Sequence, residues 1–184
     1  DITFKDNEAN GIKNDLYLAN GSETTITGAS HNVSIGGGLV SETGSALDIS
    51  GSSNLTIEEG AVADISGSLT STGAGQVVNN GDVTVSGTST ASITNNGSLT
   101  IANGGSYIAN VIQDNNDSSI TVNDGGIFGT SSTLQGGSLT VNDGGKINGS
   151  VEVTEAVEVN VGSATFDQNG LLVGGDSSNG YITG

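Results

Sequence analysis

Candidate chemistry is confined to a few residues of this 184-residue chain. A nucleophilic triad would have to use His31, the only histidine, which sits in Ala29-Ser30-His31-Asn32-Val33 between strand-like stretches and reads as a polar corner residue. Paired carboxylates would support glycoside hydrolysis, and Asp124 and Asp143, stacked one coil apart, would approach to ~5 Å. Both occupy the same corner motif, so the repeat itself accounts for their spacing, and the equivalent Ala102-Asn103 carries no acid. Oxygen ligands for calcium are concentrated in Asp114-Asn115-Asn116-Asp117. The Gly-Gly-x-Gly-x-Asp nonapeptide of calcium-binding β-rolls is missing and there is no EF-hand loop, so this cluster reads as a solvated loop. No catalytic, cofactor-binding or metal-ligating residue is assigned, and no cofactor is expected.

Charge narrows the partners. Twenty acids against Lys5, Lys13 and Lys146, with no arginine, give a net charge of −17, which repels phosphate backbones and excludes nucleic acid as a partner. β-Helix enzymes that act on acidic polysaccharides combine acids with Arg or Lys, and this composition disfavours that chemistry. Self-association of so acidic a surface would depend on salt or divalent ions. The chain has no cysteine and no methionine, and it opens at Asp1, which points to a processed or excised segment. No stretch approaches the ~18 apolar residues of a membrane-spanning helix, so no membrane insertion is expected of this segment.

The elements that would position these residues are short strands. Leu99-Thr100-Ile101 returns as Ile120-Thr121-Val122, Leu139-Thr140-Val141 and Val159-Asn160-Val161, at steps of 21, 19 and 20 residues. An apolar-polar-apolar triplet puts its outer side chains on one face, and repetition at this period stacks each unit on the last. The corners repeat too: Asn103-Gly104-Gly105, Asn123-Asp124-Gly125-Gly126 and Asn142-Asp143-Gly144-Gly145 follow the strands, and Asn, Asp and Gly suit tight turns. A second apolar position follows at Ile108, Ile127 and Ile147, and a third near Val111, Leu134 and Val151, giving three inward faces per coil. Roughly nine such coils would build a rod of roughly 40 Å.

Earlier coils are less regular. Val33-Ser34-Ile35, Leu55-Thr56-Ile57 and Val83-Thr84-Val85 continue the alternation at steps of 22, 28 and, to Leu99, 16 residues, the long step being one coil with a loop or two short coils sharing Leu69. Asn79-Asn80-Gly81 and Asn95-Asn96-Gly97 precede strands, so the sharp corner is expected to change along the axis. Gly, Ser, Thr and Asn supply 96 of the 184 residues, and the periodic Ile, Leu and Val argue against the disorder that composition would otherwise suggest. Thr56, Thr84, Thr100, Thr121 and Thr140 form an outward series whose uneven intervals argue against a matched, ice-binding type of array. Asn-x-Ser/Thr matches at Asn20, Asn32, Asn54, Asn96, Asn116 and Asn148 are expected by chance in such a composition.

The 20-residue coils with triplets such as Leu139-Thr140-Val141, the Asn-Asp-Gly-Gly corners, the absence of Cys and the acidic Gly/Ser/Thr/Asn-rich surface resemble the passenger region of bacterial autotransporter adhesins, over roughly residues 22–184. The resemblance implies a right-handed parallel β-helix at the surface of a Gram-negative cell, extracellular and without catalysis. It would work in adhesion, self-association or biofilm formation, with a host or cell-surface receptor or glycan as partner. No secretion leader or C-terminal barrel accompanies these residues, so the resemblance implies a fragment or a released piece. Residues 1–21, with two of the three lysines and Phe4, Leu16 and Tyr17, read as an N-terminal cap, first coil or assembly segment; residues 22–184 read as the solenoid. Unpaired strand edges at the two ends, with Gly180-Tyr181-Ile182-Thr183-Gly184 still alternating, suggest an alternative: a subunit of an extracellular filament or surface layer that stacks head-to-tail into a homopolymer.

Overall fold

The computed structural model describes residues 1–9, 12–129, 131–153, 157–163, 165–166, 171–173 and 181–183, and none of these is helical. Strands of two to four residues wind into three parallel sheets of nine, nine and eight strands, and each strand pairs with its counterparts one coil before and one coil after. The chain is a parallel β-helix. The first sheet starts with Ile2–Phe4 and Asn32–Ile35, the second with Leu16–Leu18 and Gly38–Ser41, the third with Glu23–Ile26 and Ala46–Ile49. Thus strands on either side of a short antiparallel hairpin (Glu8–Ala9 with Ile12–Lys13) already belong to the sheets. At the other end Tyr181–Thr183 pairs with the strand Glu158–Val161, while Gly180 and Gly184 lie outside the described residues.

The core is a set of aliphatic columns along the axis. In the second sheet Val83, Leu99, Ile120, Leu139 and Val159 stack in register, as do Val85, Ile101, Val122, Val141 and Val161; all but the half-buried Val161 are shielded from solvent. Inward aliphatic side chains are removed from water at about 25 cal/mol per Å² of apolar surface, but only because the next coil covers them, so stability belongs to the stack.

Register corrects two expectations. Leu55 stacks on Val77, not on Val83, and Val83 stacks on Ala63; the apparent 28-residue step therefore links triplets of different sheets. Leu69, shared by two short coils in one of the two alternatives for that step, lies in the third sheet on Leu47 and Ser89. In that sheet the inward side chains of consecutive coils are Tyr107, Phe128 and Ile147, whereas Ile108 is exposed and Ile127 half-buried. The expected Ile108 and Ile127 are thus one residue out of phase, which in a strand exchanges inside for outside. Ile147, Val111, Leu134 and Val151 are inward, as the sequence predicts.

The 16-residue coil between Val83 and Leu99 has a short corner into the third sheet, two residues from Val85 to the strand Thr88–Ser89 against four from Ile101 to Ser106 in the next coil, and its inward residues there are the small Ser89 and Ala91. Tyr107, paired under Ser89, fills the space and donates its hydroxyl to Ala91 O at 2.6 Å. Burial pushes the Tyr107 phenol far above its ordinary pKa, so it remains a donor.

Corner glycines divide two tasks. Gly104 has φ +80° with open space around it, while a Cβ on Gly105 would stand 2.1 Å from the carbonyl oxygen of Val85 on the coil beneath. Gly104→Ala should cost about 1 kcal/mol through its left-handed backbone. Gly105→Ala should cost roughly 3 kcal/mol, because backbone cannot yield as a side chain does. Chemical denaturation of the two variants measures the difference.

Candidate functional site

His31 lies exposed at the corner between the strands Glu23–Ile26 and Asn32–Ile35, its ring against Gly28. No serine or acid is hydrogen-bonded to its imidazole among the described residues. Asp124 and Asp143 lie on consecutive corners between the second and third sheets, but each is committed to the next coil. Asp143 Oδ1 accepts Ser163 N–H at 2.8 Å, and Asp124 Oδ1 stands where a Cβ on Gly144 would be. Asn103 stands over Gly125 in the same way. The carboxylates occupy a corner position that Asn103 fills with an amide in the preceding coil, and both line one open groove with Thr140, Asn142 and Asn160.

Asp114, Asn115, Asn116 and Asp117 form an exposed loop between the first and second sheets. Asn115 organises it, accepting Asp117 N–H at 3.0 Å and donating to Asn96 O at 3.1 Å. Among the described residues no three His, Cys, Asp or Glu side chains gather in a metal-binding arrangement.

The outward threonine series is reordered by the register. Thr56 belongs to the first sheet, between Ser34 and Val78. The other four, Thr84, Thr100, Thr121 and Thr140, occupy successive rungs of the second sheet without a gap, and Ser98, Ser119 and Ser138 form a parallel column two residues away. Uneven sequence intervals do not produce uneven spacing here, because corners absorb the differences and strands keep a separation of ~4.8 Å. None of these hydroxyls makes a hydrogen bond within the described chain, so their donors and acceptors face outward. Elsewhere outward side chains bond each other along the axis: Asn54 to Asn32 at 3.1 Å, Asn96 to Asn80 at 3.0 Å, Asn142 to Asn123 at 2.9 Å. Three of the glycosylation-type asparagines, Asn32, Asn54 and Asn96, are thereby tied into ladders.

Two features escape the sequence reading. Asn79, Asn95 and Gln113 are fully buried at the inner corner between the first and second sheets and form a continuous amide ladder. Asn79 Nδ2 donates to Asn95 Oδ1 and Asn95 Nδ2 to Gln113 Oε1, both at 2.8 Å. Each amide also reaches the second-sheet strand of the next coil, at Ser98 O, Ser119 O and Ser138 O respectively. The signal was present: these residues occupy the column of Ile35, Ile57, Leu134 and Val153. The second feature is an apolar hollow at the start of the stack, lined by Ile2, Phe4, Leu16, Ile26 and Val33, with Ile2 56% exposed.

The fold and this surface define a β-solenoid of acidic, hydroxyl- and amide-bearing faces. In comparisons with known proteins, no family model, no curated protein and no solved structure matches the chain. No helix among the described residues is long and apolar enough to cross a membrane.

Proposed function

We propose that this chain is an extracellular, structural and adhesive β-helix of a bacterial cell surface, acting in adhesion, self-association or biofilm formation without catalysis. The supporting observation is the second sheet. Its threonine and serine columns present outward donors and acceptors in register over several coils, a surface suited to many weak, repeated bonds with a receptor, a glycan or another rod. Individually such bonds contribute about 1 kcal/mol, and only their repetition at fixed spacing gives useful affinity. The charge of −17 keeps the rods apart until ions screen it.

Cells displaying the chain should clump or attach to a surface, and deleting these residues should abolish the effect. Attachment that survives the deletion, or turnover by the purified chain on a glycan panel, would overturn the reading. A second reading, head-to-tail stacking into a filament, is favoured by the apolar hollow of Ile2, Phe4, Leu16, Ile26 and Val33. Negative-stain microscopy separates the two: long uniform fibres support stacking, and single rods at all salt concentrations refute it.

A further inference from the structure

Asp15 is a carboxylate held for a purpose the repeat does not require. It is 8% exposed and lies just before the first strand of the second sheet, Leu16–Leu18. Its Oδ1 accepts Asn7 N–H at 2.9 Å and Asn7 Nδ2 at 3.0 Å, and its Oδ2 accepts Gly37 N–H at 2.6 Å. Through these bonds one side chain ties residues 5–9 to the coil that carries Gly37, and Asn14 N–H closes the same loop on Asn7 O at 2.9 Å. Asp6 has φ +60°, one of two non-glycine residues in the left-handed region among the described residues, and Asn14 Oδ1 is buried without a partner.

We propose that Asp15 is a proton-sensitive latch that fastens residues 5–9 over the first coil and, when neutralised, releases them. Both carboxylate oxygens face N–H donors. A proton on either oxygen removes the charge that strengthens all three bonds and competes for a lone pair that now accepts an N–H, so the neutral group holds the three donors more weakly. Burial pulls the Asp15 carboxyl upward, and the hydrogen bonds from Asn7 and Gly37 outweigh it, leaving the group below its ordinary pKa. The latch is therefore closed at neutral pH and opens as pH falls through that lowered value. The other charged groups on the elements packed around it are Lys5, whose methylenes lie against Gly36, Asp6 and Glu8 on the tied segment, Lys13 on the strand paired with Glu8–Ala9, and Glu42, which is engaged by Tyr17 OH and Asn20 N–H. Release would loosen the adjoining strand Ile2–Phe4, whose partner Asn32–Ile35 would then present an unpaired edge carrying Val33 and Ile35.

Asp15→Asn imitates the neutral group at pH 7, since its amide must turn a donor toward Asn7 or Gly37. Amide hydrogen exchange read by NMR should accelerate at Asn7, Asn14 and Gly37 by roughly tenfold or more, the loss of a charge-assisted hydrogen bond. The amide of Ile120 should be unchanged. Glu8→Gln, which removes a charge from the same segment without touching the latch, should leave all four amides as they are. Unchanged exchange at Asn7 and Gly37 in Asp15→Asn would overturn the proposal, as would equal acceleration at Ile120 or the same response in Glu8→Gln.

Discussion

Replacing Ile120 with Asp should unfold the coils on either side of it, whereas Asp one residue later, at Thr121, should be tolerated. Ile120 is fully buried between Leu99 and Leu139, and Thr121 faces outward between Thr100 and Thr140. The first substitution removes an aliphatic side chain from the column, which costs about 2–5 kcal/mol, and adds a carboxyl with no partner. That carboxyl stays protonated in the fold, so its pKa rises above the unfolded value of ~3.9. The unfolded chain then binds fewer protons than the folded one, and stability of the variant falls by about 1.4 kcal/mol per pH unit from that value up to the raised pKa. Ile120→Asp should therefore melt higher at pH 4 than at pH 7, a direction opposite to that expected of a surface acid. Thr121→Asp should change stability by less than about 0.5 kcal/mol. Thermal melts at the two pH values test this, and equal losses for both variants would contradict the inside-outside assignment. Because each coil touches only its neighbours, the damage should spread along the axis from residue 120.

The fold was legible where every inward position is aliphatic. Leu99, Ile120, Leu139 and Val159 announce one column, and the structure stacks them as read. Between Leu55 and Val83 the reading failed for a physical reason: all three sheets use the same alternation, so a triplet does not say which sheet it belongs to. The true partner of Leu55-Thr56-Ile57 is Val77-Val78-Asn79, whose last inward residue is an amide and so breaks an aliphatic search. At Tyr107-Ile108 and Ile127-Phe128 two apolar residues are adjacent, and alternation alone cannot choose between them. The choice follows from Leu69 and Ser89 in the same column, one coil after another. The corner acids were legible as corner residues, since Asp124 and Asp143 share a motif with Asn103. Asp15 was not, because its environment depends on Asn7 and Gly37 meeting across unrelated stretches of chain.

The buried amide ladder should behave as a unit. Asn95 lies at its centre: its Oδ1 receives Asn79 Nδ2, and its Nδ2 serves both Gln113 Oε1 and Ser119 O at 2.8 and 3.0 Å. Asn95→Leu would fit the column sterically, as Ile57 and Leu134 show, yet it would strand buried groups on both neighbours. Each unsatisfied group costs about 1–3 kcal/mol, so a loss of roughly 3–5 kcal/mol is expected. If the ladder is an alternative to aliphatic filling, replacing Asn79, Asn95 and Gln113 together by Ile, Ile and Leu should cost less than the sum of the three single changes. The amides no longer strand one another, and new apolar contacts form. The triple variant would still lack the partners of Ser98 O, Ser119 O, Gly136 O, Ser138 O and of Gly81 N–H, which donates to Asn79 Oδ1 at 3.1 Å, so it should remain below the parent. Urea denaturation of the single and triple variants gives the coupling directly. Strict additivity would mean that the amides act one by one on the backbone of the next coil, and that the side-chain bonds between them contribute nothing.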